Sequence, residues 1–242
     1  MHRAEEWRGD PESFGQAAAI LLGDLALIWA DAMLARSGFD AVAFQRALPV
    51  WDAMRIEVMC GQYLDVVEQA RGGGSVERAL RVARLKSAKY TIERPLHLGA
   101  ALGAGDAGLM SALSDYGLPL GEAFQLRDDV LGVFGDPTVT GKPAGDDLRE
   151  GKRTALVALA LEGANDAQAQ QLRSRLGDPD LDEDGVTILR EVIVATGAAD
   201  QVEALISDRL DRALAALAAA AVDGSARQAL ADLASAVSHR AG

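Results

Sequence analysis

Two adjacent carboxylates, Asp128 and Asp129, stand inside the apolar run "FQLRDDVLGVFGD" (124–136). Like charges ~4 Å apart at an effective dielectric of about 20 cost about 4 kcal/mol, so the pair is a poor choice unless a cation is expected. On a helix, Gln125, Asp128, Asp129, Gly132 and Asp136 recur at i, i+3, i+4, i+7 and i+11. They form one narrow polar stripe among Phe124, Leu126, Val130, Leu131, Val133 and Phe134. The stripe faces either water, as most charges do, or a cavity inside the fold. The loop that follows, "GDPTVTGKPAGDDLREGKR" (135–153), favours the cavity, because it adds Lys142, Asp147, Lys152 and Arg153. Carboxylates for a hard cation beside cationic groups for an anion describe a site for a metal-bridged diphosphate.

The elements that would carry these residues read as helical almost throughout. Alanine and leucine abound, aromatic residues make up 5%, and alternation of β-branched residues is scarce. Helices are expected from Pro11 to about Arg36, over about 41–70, and from Ser75 to about Tyr90, where Pro95 ends the run. A short helix follows to Ala104, then a long one capped by Asp106 and running to about Phe134. Further helices are expected at about 153–162, 166–176, 183–196, 198–221 and 224–239, with 135–145 a loop rich in Gly and Pro. Pro11–Ala30 and Pro119–Phe134 are apolar over most of their surface and are expected to be buried. The architecture that buries such helices without strands is an all-α bundle. No repeat or linker is visible, so residues 1–242 read as one domain.

Composition sets bounds on function. The 242 residues are 49% hydrophobic and 25% charged, with a net charge of −12. That charge disfavours nucleic acid and anionic lipid as partners, and it would repel a phosphate-bearing substrate unless metal ions intervene. Cys60 is the single cysteine, which excludes an intramolecular disulfide and fits a reducing cytoplasm. The start, "MHRAEEWRGDPE", lacks an apolar core of signal-peptide length. The run "AAAILLGDLALIWA" is interrupted by Asp24 and reads as too short to span a bilayer. The expectation is a soluble protein without a transmembrane segment.

Four segments carry a resemblance to a known family. "FQLRDDVLGVFGDPTVTGKPAGDDLREGKRT" closely resembles the second aspartate-rich region of the trans-polyprenyl diphosphate synthases, which include farnesyl and geranylgeranyl diphosphate synthases. "FGQAAAILLGDLALIWADAML" is similar to the helix after the family's first aspartate-rich region, "EVMCGQYLD" to its Gly-Gln-x-x-Asp segment, and "KSAKYTIERPLHLGA" to its Lys-Thr helix. They occur in the family's order.

The resemblance implies an all-α isoprenoid-synthase bundle around a central cavity, acting as a homodimer or with a related synthase. It implies a prenyltransferase of isoprenoid biosynthesis that joins isopentenyl diphosphate to an allylic diphosphate with Mg2+. Asp128 would hold magnesium directly, Asp129 through water or from behind the ligating groups, and Asp147 through water or Lys142. Lys142 and Lys152 would clamp the diphosphate. Lys86 would reach the allylic diphosphate and stabilise the allylic cation through its carbonyl, with Ser87 in place of the usual threonine. Tyr90, Phe124 and Gln125 would line the cavity. Carbonyl, amide and hydroxyl dipoles suit such a cation, which a strong nucleophile would quench.

The sequence departs from that pattern twice. Gly132 stands at the usual third aspartate of the second motif. The first aspartate-rich motif has no counterpart, and the chain reads as the C-terminal two-thirds of the family fold. The expectations are little or no synthase activity for this polypeptide alone or, alternatively, a non-catalytic partner subunit of a full-length synthase. A competing motif, "DLDEDGVTILRE" (180–191), matches a calcium-loop spacing through Asp180, Asp182, Asp184, Gly185 and Glu191. The plainer expectation is that Asp182, Glu183 and Asp184 cap and charge the next helix.

Overall fold

The computed structural model describes residues 2–5, 7–141 and 145–238. No strand occurs among the described residues, and the all-α expectation is borne out. Two compact units are present, Met1–Gln45 and Arg46–Gly242.

The first unit holds α1 (Pro11–Ala35) and the start of α2 (Ala41–Arg71). Asp10 caps α1 by accepting from the Ser13 amide at 2.8 Å, and Pro11 occupies the first turn, where its missing N–H costs nothing. The expectation that this helix is buried is wrong: none of its residues is. Ile20, Leu21, Leu22, Ile28, Trp29 and Met33 are each at least 60% exposed. Apolar composition shows that a surface gains by burial; it does not show that the covering atoms belong to the same chain. The length expectation also needs correction. α1 is the one described helix long and apolar enough, by length and composition alone, to cross a membrane.

The second unit is built around α5 (Ala107–Phe134), which packs chiefly on Arg84–Glu93 and on α11 (Ala198–Ala219). Asp106 caps α5 through the Leu109 amide at 2.8 Å, as expected. Pro119, Leu120, Gly121, Ala123, Leu126 and Val133 are buried, so the second apolar helix lies in the core. The Tyr116 hydroxyl donates to the Leu230 carbonyl at 2.6 Å and ties α5 to α12 (Gly224–Ser238). α3 (Val76–Ala83), α4 (Arg94–Leu102) and α8 (Ala155–Gly163) also pack on α5, and α9 (Asp166–Arg175) and α10 (Glu183–Ala195) complete the unit.

Two local expectations fail. Pro95 does not break the chain after Tyr90: it sits in the first turn of α4, which continues directly from Arg84–Glu93. Asp136 is not the last member of the α5 stripe, because α5 stops at Phe134 and Asp136 caps the short turn α6 (Pro137–Thr140).

Arg84–Glu93 is π-helical, a geometry that is rare and clusters at functional sites. Close backbone approach on two sides accompanies it. A Cβ on Gly61 of α2 would stand 2.4 Å from the Lys86 amide nitrogen, and one on Gly121 of α5 would stand 2.6 Å from the Ala88 Cα. Ion pairs lace the segment in place. Buried Glu122 of α5 accepts from Arg84 at 2.6 Å and from Arg209 of α11 at 2.7 Å. Glu57 of α2 accepts from Lys89 at 2.5 Å and from both Nε and Nη2 of Arg94 at 2.7 Å.

Beyond Glu93 lies a buried polar cluster. Ser114 donates to Glu93 at 2.7 Å, while His97 meets Arg94 through Nδ1 and the Met110 carbonyl through Nε2, both at 3.0 Å. A guanidinium only donates and a carbonyl only accepts, so Nε2 carries the proton and the ring is neutral. Burial, opposed by Glu93 and aided by Arg94 and Lys89, pulls the His97 pKa below its ordinary 6.5. The unfolded chain then binds a proton that the native ring resists, so stability present above pH 6.5 is lost as pH falls below it. Asp129, whose pKa is pushed up to about 8, acts in the opposite sense between pH 4 and 8, roughly. The informative readout is therefore the melting-temperature gap between wild type and His97→Gln, which should narrow from about pH 7.5 to about pH 5.5. A gap independent of pH would refute the assignment.

In the calcium-loop segment, Asp182 caps α10 by accepting from the Gly185 amide at 2.8 Å. Among the described residues no three His, Cys, Asp or Glu side chains are placed to hold a metal by themselves. The capping expectation describes this segment.

Candidate active site

A cavity of about 180 Å³ lies within the second unit. α5 contributes Gln125, Asp128 and Asp129; the stretch from α7 (Asp146–Arg149) to the start of α8 contributes Asp147, Lys152, Arg153 and Thr154. Lys86 comes from the π-helical segment, Asp65 from α2, and Ala79, Val82 and Ala83 from α3 and its end. The stripe on α5 thus faces a cavity rather than bulk water. The cavity is polar and small, with room for a phosphate-sized anion and its water rather than for a prenyl chain.

Six of the expected site residues meet here: Lys86, Gln125, Asp128, Asp129, Asp147 and Lys152. Three do not line the cavity. Ser87 is buried beside Lys86, Phe124 packs against the core, and Tyr90 is 48% exposed. A π-helical turn spaces side chains differently from an α-helical one, which is why the Lys86–Tyr90 spacing does not bring both inward. Lys142 lies outside the described residues. Arg153, expected among the cations of the following loop, lines the cavity too, and so do Asp65 and Thr154, to which no ligand contact was assigned from the sequence. The signal for Asp65 was its position one turn after Gly61: the glycine admits the π-helical backbone, and Asp65 accepts from Lys86 at 2.7 Å.

Electrostatics explain the two adjacent carboxylates. Asp129 is 6% exposed and accepts from Gln125 Nε2 at 2.8 Å. Burial, with Asp147 and Asp128 nearby, overrides that hydrogen bond and pushes its pKa up to about 8. The anionic form is therefore costly here until a cation arrives. Asp147 pairs with Lys152, which also meets Glu150 at 3.0 Å. Although burial opposes it, these two carboxylates hold the Lys152 pKa above the ordinary lysine range. Asp147 packs directly on Gly132, where a Cβ would lie 2.0 Å from its Oδ2.

No protein cage for a metal exists among the described residues. Mg2+ does not need one: it keeps several waters and is bound through one or two carboxylates plus substrate phosphates. Asp128 and Asp129, one of them destabilised as an unpaired anion, fit that kind of shared coordination.

Residues 7–193 match the family model "Polyprenyl synthetase". The chain belongs to this family. Polyprenyl synthetases of known structure superpose on it closely. A geranylgeranyl pyrophosphate synthase from Corynebacterium glutamicum, complexed with isoprenyl diphosphate and magnesium, is 47% identical with a TM-score of 0.95, covering 99% of this chain and 68% of that one. The geranylfarnesyl diphosphate synthase of Aeropyrum pernix is 34% identical over 219 residues, 88% of this chain and 67% of that protein. A geranylgeranyl diphosphate synthase of Mycobacterium tuberculosis is 30% identical over 84% of this chain and 58% of its own length. The polyprenyl synthetase chain thus spans a little over half to about two-thirds of these relatives. The family reading, a polyprenyl diphosphate synthase type of prenyltransferase with the all-α isoprenoid-synthase fold, is borne out.

Proposed function

We propose that the cavity holds the diphosphate of an allylic substrate together with Mg2+, and that the chain serves the condensation of that substrate with isopentenyl diphosphate. One observation supports this above others: a buried carboxylate wall and the ammonium group of Lys86 line the same small polar cavity. The solved C. glutamicum relative, crystallised with isoprenyl diphosphate and magnesium, supports it further.

When bound, Mg2+ neutralises the charge that develops on the leaving diphosphate. Asp128 and Asp129 would hold it, with Asp147 in support, and Gln125 fixes the Asp129 carboxylate. Lys86 and Lys152 supply positive charge to the diphosphate oxygens, each first releasing its carboxylate partner in part. Ionisation breaks the allylic C–O bond, and the isopentenyl double bond then attacks the cation with loss of a proton. The Lys86 carbonyl is the dipole offered to that cation. Ser87 is buried against the same turn and acts by holding its backbone. Phe124 and Tyr90 stand away from the cavity and contribute, in this reading, to surfaces that meet the prenyl chain or a partner.

Among the described residues one Asp-Asp wall faces the cavity, and half a metal site neutralises a diphosphate poorly. We therefore infer low turnover for the polypeptide by itself and a cytoplasmic partner, either a second copy or a related synthase. The exposed apolar residues of α1 support a partner, and the C. glutamicum match, which spans α1, supports an interface helix rather than a membrane span. The test is calorimetry with inorganic pyrophosphate, with and without Mg2+, beside an assay with labelled isopentenyl diphosphate and an allylic primer. Mg2+ should tighten pyrophosphate binding, and Asp128→Asn should abolish that gain. Binding indifferent to both would overturn the reading. Turnover at rates of a complete synthase would overturn the inference of low activity alone, and co-purification with a full-length relative would support the partner role.

A further inference from the structure

Glu57, Gly61 and Asp65 recur at i, i+4 and i+8 along α2 and so share one face. That face meets the π-helical segment at three levels. Asp65 accepts from Lys86 at 2.7 Å, Gly61 admits the Lys86 backbone, and Glu57 accepts from Lys89 and Arg94. Lys89 and Arg94 are also the two residues whose backbone closes a wide turn, since the Arg94 N–H donates to the Lys89 carbonyl. In an α-helix, residues five apart point about 140° away from each other, whereas an i→i+5 turn draws them toward one face. Glu57 therefore fastens through side chains the same pair that the backbone joins. Burial works against the Glu57 anion, but the hydrogen bonds from Arg94 and Lys89 outweigh it and pull its pKa below the ordinary value, so the carboxylate is ionised at neutral pH.

We propose that Glu57 is a positioning residue for Lys86: by holding Lys89 and Arg94 together it keeps the segment in its π-helical register and thereby sets how Lys86 meets the cavity. The proposal rests on the diphosphate reading above, in which Lys86 supplies charge to the ligand, and adds what fixes that lysine. Glu57 does not line the cavity, so its effect passes through the turn. Tightening the wide turn to an α-helical one would rotate the residues before it by about 100° relative to those after it. Lys86 stands before it and would leave both Asp65 and the cavity wall. Gly61 and Gly121 make room for the segment, but a glycine only permits a close approach. A carboxylate whose two cations sit five residues apart favours one register over the other.

The probe is inorganic pyrophosphate with Mg2+, titrated into wild type, Glu57→Gln, Lys86→Gln and the double variant, with a thermal melt of each. Lys89→Gln, which is milder because the Glu57–Arg94 pair survives, is measured in the same two backgrounds. Glu57→Gln should weaken binding about 10-fold when Lys86 is present. In the Lys86→Gln background the same change should cost less than about 2-fold, because a residue acting through Lys86 has nothing left to position. Lys89→Gln should repeat the pattern, at about 3-fold when Lys86 is present. A Glu57 that merely stabilises the fold would lower the melting temperature while its loss weakened binding equally in both backgrounds, or left binding unchanged. Either result overturns the proposal and leaves the diphosphate reading standing. Wild type that fails to bind pyrophosphate at all overturns both.

Discussion

Gly61→Ala should lower stability by about 3 kcal/mol and disturb the cavity from a distance. The added methyl would meet the Lys86 nitrogen at 2.4 Å and the Leu85 carbonyl carbon and Lys86 Cα at 2.7 Å. All three are backbone atoms, so no side-chain rotation relieves the overlap. Either α2 or the π-helical segment must move. The segment is fixed on its other face by Gly121 against Ala88 and by the Arg84–Glu122 pair, so strain spreads into the turn that carries Lys86. Asp65, one turn beyond Gly61, would lose its 2.7 Å contact with Lys86. Urea unfolding should show the lower midpoint, and pyrophosphate affinity should fall with it. A Gly61→Ala protein with wild-type midpoint and affinity would show that backbone approach at this crossing is not what holds Lys86.

Gly132→Asp, which would restore the aspartate usual at this position in the family, is expected to harm the site rather than mend it. Its Cβ would lie 2.0 Å from Asp147 Oδ2 and 2.5 Å from Cγ. Asp147 is 6% exposed and tied to Lys152, so it cannot simply swing into water. The new carboxylate would also join Asp128 and Asp147, whose charges already disfavour the Asp129 anion. The expected result is a loss of about 2 kcal/mol in stability and roughly tenfold weaker Mg2+-dependent pyrophosphate binding. Gly132→Ala separates the causes, since it keeps the overlap and omits the charge. Tighter Mg2+-dependent binding in Gly132→Asp at undiminished stability would reverse this account, and Gly132 would then be a plain loss of a ligand.

The helices and most of their ends were legible in the sequence because their causes are local. Asp10, Asp106 and Asp182 cap through bonds to amides three residues on, and such spacings are visible in a string of letters. The α5 stripe was legible for the same reason: i, i+3, i+4 periodicity fixes which side chains share a face. The π-helical segment was not, because it accompanies packing against Gly61 and Gly121, residues 23 or more positions away by sequence numbering.

The sequence by itself determined an all-α chain with two adjacent carboxylates on one helical face, a cluster of cations after them, and the family to which both belong. Only the tertiary structure decided how those charges are shared. It gave Lys86 to Asp65 and Lys152 to Asp147, left Arg153 without an acceptor, sank Asp129 and exposed α1. The physical reason is that periodicity and capping depend on neighbours within a turn or two. Burial, ion-pair choice and the cost of an unpaired charge depend on which distant segments close over a side chain, and on how completely they exclude water.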